Sequence, residues 1–110
     1  MKKIFLIDLD GVLNEYRGNF DKDFIPPIKS GAKEFLEELS KNYEIKIFTT
    51  RNKILTSDWI RKNGLSEFIE DITNVKELCY SYIDDRCLRF RGDFEQTKNE
   101  IENFSVWYKK

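Results

Sequence analysis

The chain has 110 residues, 40% of them hydrophobic with nine Phe, and its nineteen Lys and Arg against twenty Asp and Glu leave a net charge of −1. These figures describe a single domain over residues 1–110 with material for a core, and they argue against intrinsic disorder and against a polycation working on DNA or an anionic membrane. With no histidine and only two cysteines, Cys79 and Cys87, the chain also lacks Ser-His, Cys-His, His-ligated zinc and four-cysteine zinc chemistry.

Met-Lys-Lys opens the chain without an apolar leader behind it, so the sequence reads as cytosolic, with no membrane span and with both cysteines as free thiols. Residues 3–8 are an apolar run ending on an acid, which predicts a strand buried on both faces of a parallel sheet. Residues 14–25 read as a loop or small hairpin turning at Gly18 and Asn19. Beyond Pro26-Pro27, the spacing of Ala32, Phe35, Leu36 and Leu39 predicts an amphipathic helix of about four turns, with Ser30 as its N-cap. Strand character returns over 44–49, and a second helix is expected from about Lys53 to Asn63 with Gly64 as its stop. Short strands are expected over Phe68–Thr73 and Tyr80–Asp84. Asp93–Asn103 reads as helical, and Phe104–Tyr108 as a strand or a docking segment. Strand, helix, strand, helix, strand, strand is the order of an α/β domain with a mostly parallel sheet.

Sites in such sheets lie at the C-terminal ends of the strands. Three predicted strands end in chemically loaded residues: Asp8-Leu9-Asp10-Gly11, Thr49-Thr50-Arg51 and Asp84-Asp85-Arg86, with Lys76 between the last two. Asp8 and Asp10, two apart on an extended chain, project to one side while Leu9 goes to the other. Gly11 lets the backbone turn sharply. Two carboxylates held together repel unless a cation or a shared proton intervenes. Asp84 and Asp85 repeat that logic and suit Mg²⁺, which takes carboxylate, carbonyl and water ligands. Acid pair, threonine, lysine and acid pair in that order describe a site for a magnesium-bound phosphoryl group.

On these residues the chain resembles the haloacid dehalogenase superfamily of aspartate-nucleophile phosphohydrolases, over residues 4–86. Ile4–Val12 resembles its first motif, Ile47-Phe48-Thr49 its second and Tyr82-Ile83-Asp84-Asp85 its fourth, while Lys76 matches the lysine of the third by position. Lys76 precedes Asp84 by only eight positions, closer than in many members; Arg51 and Arg86 are alternative sources of the positive charge. The resemblance implies a Rossmann-like three-layer sandwich around a mostly parallel sheet. It implies Asp8 as nucleophile, Asp10 as general acid and base, and Thr49 and Lys76 steadying the phosphoryl oxygens, with Thr50, Arg51 and Arg86 beside the substrate. Mg²⁺ would be held by Asp8, the main-chain carbonyl of Asp10 and Asp85, with Asp84 on a water of the ion.

The 38 residues between Asp10 and Thr49, and the 26 between Thr49 and Lys76, leave no room for the lid domains that members of this superfamily insert there. The domain is therefore expected to be capless, with 14–25 as its flap and an open site suited to a phosphorylated nucleic-acid end or phosphoprotein. A non-catalytic metal- or phosphate-binding module with the same fold is the alternative. A phosphorylated signalling receiver is disfavoured because the lysine precedes the last acid pair. Arg86, Arg89 and Arg91 read as the solvated face of a strand whose other face carries Leu88 and Phe90, or else as a phosphate-tracking edge for a nucleic acid or phosphoprotein. Phe104, Trp107 and Tyr108 read as closing the core, and the oligomeric state is left open.

Overall fold

In the computed structural model, which describes residues 2–109, the N-terminal apolar run forms β1 (Lys3–Asp8) as the spacing predicts. It is followed by α1 (Ala32–Ser40), β2 (Tyr43–Phe48), α2 (Lys53–Lys62), β3 (Asp71–Thr73), β4 (Ser81–Ile83) and α3 (Phe94–Glu102). The four strands form one all-parallel sheet in the order β3-β2-β1-β4, a Rossmann-like α/β arrangement flanked by helices. The chain steps outward from β1 through α1 and α2 to β3, then jumps back to the far side of β1. The direction of winding thus reverses at β1, and the crevice beyond its C-terminal end, between β1 and β4, is where such sheets place ligands.

Strand parity sorts the side chains into two faces. Ile7, Ile45 and Ile47 join Leu36 of α1 and Ile60 of α2 in one buried cluster, so both helices cover the same face. On the other face Leu6 is the register partner of both Lys46 and Tyr82. That side is crossed by the extended β3–β4 connection: Glu77 pairs with Lys46 at 2.9 Å and its carbonyl accepts from the Tyr82 hydroxyl at 3.1 Å. No domain is inserted in either interval, and no helix among the described residues is long and apolar enough to cross a membrane.

Several boundaries differ from the expectation. Ser30 does not cap α1; that position is Gly31, left-handed at φ +89°, with no side-chain cap. The helix is nine residues long, and Phe35, expected in its apolar stripe, is 42% exposed, because the stripe that meets the core is Ala32, Leu36 and Leu39. α2 is capped by Asn52, whose side chain accepts from the Leu55 N–H at 3.0 Å, and Gly64 turns the chain out at φ +69°. Of the expected 68–73 strand, Phe68 ends a 3₁₀ turn (Ser66–Phe68), Ile69 and Glu70 are irregular, and only Asp71–Thr73 joins the sheet. The segment after Asp85 is not a strand: residues 87–91 are irregular, with Phe90 against Phe94 and Arg91 reaching Glu100. The 104–109 tail is likewise no strand; Val106 is its buried anchor.

Candidate active site

The strand that carries Asp8 stops there because the next residues fold into a tight turn. The Leu13 N–H donates to the Leu9 carbonyl at 3.0 Å, with Leu9 and Leu13 buried in the core. Gly11 is left-handed at φ +84°, and a Cβ there would fall into the Asp85 carboxylate, 2.8 Å from its Cγ. No other residue permits this approach of the loop to Asp85.

The register Ile7↔Ile83 puts Asp8 and Asp84 side by side, one step beyond the last paired residues of β1 and β4. One carboxylate oxygen from each of Asp8, Asp84 and Asp85 lies within 4.8 Å of the other two. Both oxygens of Asp85 are buried and accept no hydrogen bond. Burial first, then the charges of Asp84, Asp85 and Asp10, push the Asp8 carboxyl up to about 8. Burial and the neighbouring Asp84 raise Asp85 as well. Three hard oxygen donors, two orphaned oxygens and crowded like charge make a set that a divalent cation of the Mg²⁺ type can satisfy.

Asp10, only two residues from Asp8, has a different environment. The Arg51 Nε donates to it at 2.9 and 3.2 Å, and the Asn14 amide at 3.0 Å. Arg51 is buried, its side chain 1% exposed; Nη1 donates to the Asp21 carbonyl, the Phe20 ring lies 4.6 Å from Cζ, and Nη2 has no partner. Asn14 is fully buried and ties the loop together, its side-chain oxygen accepting from the N–H groups of Gly11 and Tyr16.

Thr49, buried at the end of β2, accepts from the Arg51 N–H at 3.2 Å, which leaves its own O–H to donate. Thr50 is exposed and lines a cleft of about 510 Å³ with Thr49, Arg51 and Thr73. Arg86 is exposed, its N–H donating to Asp84 at 2.8 Å. Lys76 is the outlier. It is exposed on the β3–β4 connection, with Nζ 5.4 Å from the Tyr82 ring and no ion pair to an acid among the described residues. The structure therefore gathers Asp8, Asp10, Asp84 and Asp85 at one end of the sheet, with Arg51 on Asp10 and Thr49 accepting from the Arg51 N–H, and gives Lys76 no ion pair with these acids.

Two contributors were invisible to the motif reading. Asn14 carries no signal beyond being an Asx residue in a turn. The other is the tail: the Trp107 indole N–H donates to the Gly11 carbonyl at 2.6 Å, and Tyr108 packs edge-on against Tyr16 at 5.9 Å. Cys79 and Cys87 are both free.

No protein-family model matches the chain, and no curated protein matches it. Among solved structures it is similar to a conserved protein from Bacteroides thetaiotaomicron, at 17% identity and a TM-score of 0.62, over 94% of this chain and 92% of that one. At that identity the likeness extends to the fold and no further.

Proposed function

We propose that the protein is a magnesium-dependent phosphohydrolase of the haloacid dehalogenase type, working through an aspartyl-phosphate on Asp8. The observation that carries this reading is the convergence of Asp84 and Asp85 on Asp8, at the end of the sheet where the winding reverses. Asp8, Asp84 and Asp85 would hold Mg²⁺, which when bound neutralises the nucleophile and the phosphoryl oxygens that approach it. An oxygen of Asp8 attacks phosphorus in line as the bond to the leaving oxygen breaks, dividing one hard step into two. Arg51 and Asn14 hold Asp10 in place; in its acid form Asp10 gives a proton to the leaving oxygen, and as the resulting carboxylate it takes one from the water that cleaves the acyl phosphate. The Thr49 hydroxyl and the unpartnered Nη2 of Arg51 are the donors for phosphoryl oxygens, the electrostatic part on which phosphoryl transfer depends most.

The capless site suits a phosphate at a nucleic-acid end or on a protein, and the free thiols suit a cytoplasmic setting. Phosphate release from nucleotides, sugar phosphates, phosphorylated oligonucleotides and phosphopeptides, with Mg²⁺ and with chelator, tests the reading. Turnover should need the metal and fall about 10³-fold or more in Asp8→Asn; an unchanged rate in that variant refutes the mechanism. That Lys76 makes no ion pair with the acids among the described residues and sits over the Tyr82 ring favours one second reading, a non-catalytic module that binds Mg²⁺ or phosphate. Metal binding without turnover on any substrate would select it.

A further inference from the structure

The C-terminal segment has no part in the chemistry above, yet it reaches the centre of the site. Val106 is buried and anchors it, and the Trp107 indole N–H closes a 96-residue span onto the carbonyl of Gly11. Lys29 Nζ and Arg17 Cζ lie 4.1 and 5.1 Å from the Trp107 ring centroid, so the indole is held by Arg17 of the flap and by Lys29 beyond it, as well as by the turn. This places Tyr108 against Gly11: its Cε1 would stand 3.4 Å from a Cβ there, at the spot where that Cβ would also meet Asp85. The ring is packed by Tyr16 and Trp107. Its hydroxyl is buried and has no hydrogen-bond partner, while the neighbouring Asp85 oxygens lack one too.

A buried hydroxyl without a partner is destabilising, and a phenylalanine would fill the same space without that cost. Packing accounts for the ring but not for the oxygen. The hydroxyl, with Asp85 and Arg86 near it and bonded to neither, keeps its donor free for a ligand that enters the site. We propose that residues 104–109 form a strap across the acid site and that Tyr108 is a ligand-positioning residue, its hydroxyl donating to an oxygen of the phosphoryl group. In a domain with no inserted lid, this strap and the 14–25 flap supply the enclosure. The inference rests on the phosphohydrolase reading.

The test uses the full chain in a Trp59→Phe background, so that Trp107 is its one tryptophan. Mg²⁺ binding is measured by calorimetry, and orthovanadate binding in the presence of Mg²⁺ by Trp107 emission and by calorimetry, for this protein and for its Tyr108→Phe variant. Thermal melts establish that both are folded. The expected result is Mg²⁺ affinity within twofold between the two, vanadate affinity about tenfold weaker in Tyr108→Phe, and a Trp107 emission shift on vanadate binding. With any substrate that is turned over, KM should rise by a similar factor. Equal vanadate affinity in the two folded proteins, or vanadate binding that leaves Trp107 emission unmoved, overturns the strap while leaving the phosphohydrolase intact. No Mg²⁺ binding by the parent protein overturns both.

Discussion

Asp8→Asn should stabilise the metal-free protein at neutral and alkaline pH and do little at pH 4.5. Folding takes the Asp8 carboxyl from its ordinary value of 3.8 up to about 8, through burial and the charges of Asp84, Asp85 and Asp10. Between those values the folded chain binds more protons than the unfolded one, so stability falls as pH rises from about 4 to about 8. Each pH unit crossed costs about 1.4 kcal/mol, which puts a ceiling of about 4 kcal/mol on the penalty at pH 7. Partial solvent access to Asp8 lowers this to about 2 kcal/mol, and at about 4 °C per kcal/mol for a domain of this size the variant should melt about 8 °C higher. An asparagine keeps the shape, removes one charge and can donate its amide to the orphaned Asp85 oxygens. Thermal unfolding followed by circular dichroism in chelator, at pH 4.5 and pH 8, measures the gap. Added Mg²⁺ should raise the melting point of the parent more than that of the variant, closing the gap from the other side. A variant less stable than the parent at pH 8 in chelator, or a gap equal at both pH values, would show that the acid cluster is not under the strain argued for it.

Asp10→Asn should lower turnover about 10²–10⁴-fold with little change in the Mg²⁺ requirement, whereas Asp85→Asn should weaken apparent Mg²⁺ affinity first; Mg²⁺ titrations of activity separate the two. Gly11→Ala should cost activity and more than ~2 kcal/mol in denaturant melts, since it meets both a left-handed φ and the Asp85 carboxylate. Gly31→Ala is its control: it too is left-handed, but nothing lies within 4 Å of the added Cβ, and a loss of about 1 kcal/mol is expected. Asn14→Ala strands the N–H groups of Gly11 and Tyr16 and should cost about 3 kcal/mol together with activity, read by melts and phosphate release.

The parallel sheet was legible because its evidence is local. Residues 4–7 are an apolar run ending on an acid, Ile45 and Ile47 alternate with Glu44 and Lys46 over 43–48, and the helix at 53–62 announces its end through Gly64. Where the reading missed, the cause was tertiary. Nothing in the Phe68–Thr73 run says that Ser66–Phe68 closes a 3₁₀ turn on Leu65 before the chain can join β2. Leu88 and Phe90 alternate with arginines as an edge strand would, yet β4 ends at Ile83 and the following segment turns toward α3. The phase of Phe35 is right for a helix face, but the face that meets the core is only as wide as Ala32, Leu36 and Leu39.

The site divides along the same line. That Asp8 and Asp10 lie on one side of the strand exit is a matter of parity, and parity is read from spacing alone. What distinguishes the two acids is which residues the fold brings to each. Asp8 receives Asp84 and Asp85 from the adjacent strand, because β4 returns to the free edge of β1 in the register Ile7↔Ile83. Asp10 receives Arg51, because the chain leaves β2 one strand away on the opposite side and turns its buried guanidinium inward. One carboxylate is thereby surrounded by like charge and the other by donors, although only Leu9 separates them in the chain. In the metal-free protein the crowding around Asp8 keeps its proton on at neutral pH, and it is a bound cation that would free it to act as the nucleophile. Reversing the order of β2 and β4 around β1 would exchange the neighbours. The sequence motif would be unchanged, and the chemistry expected of each aspartate would not.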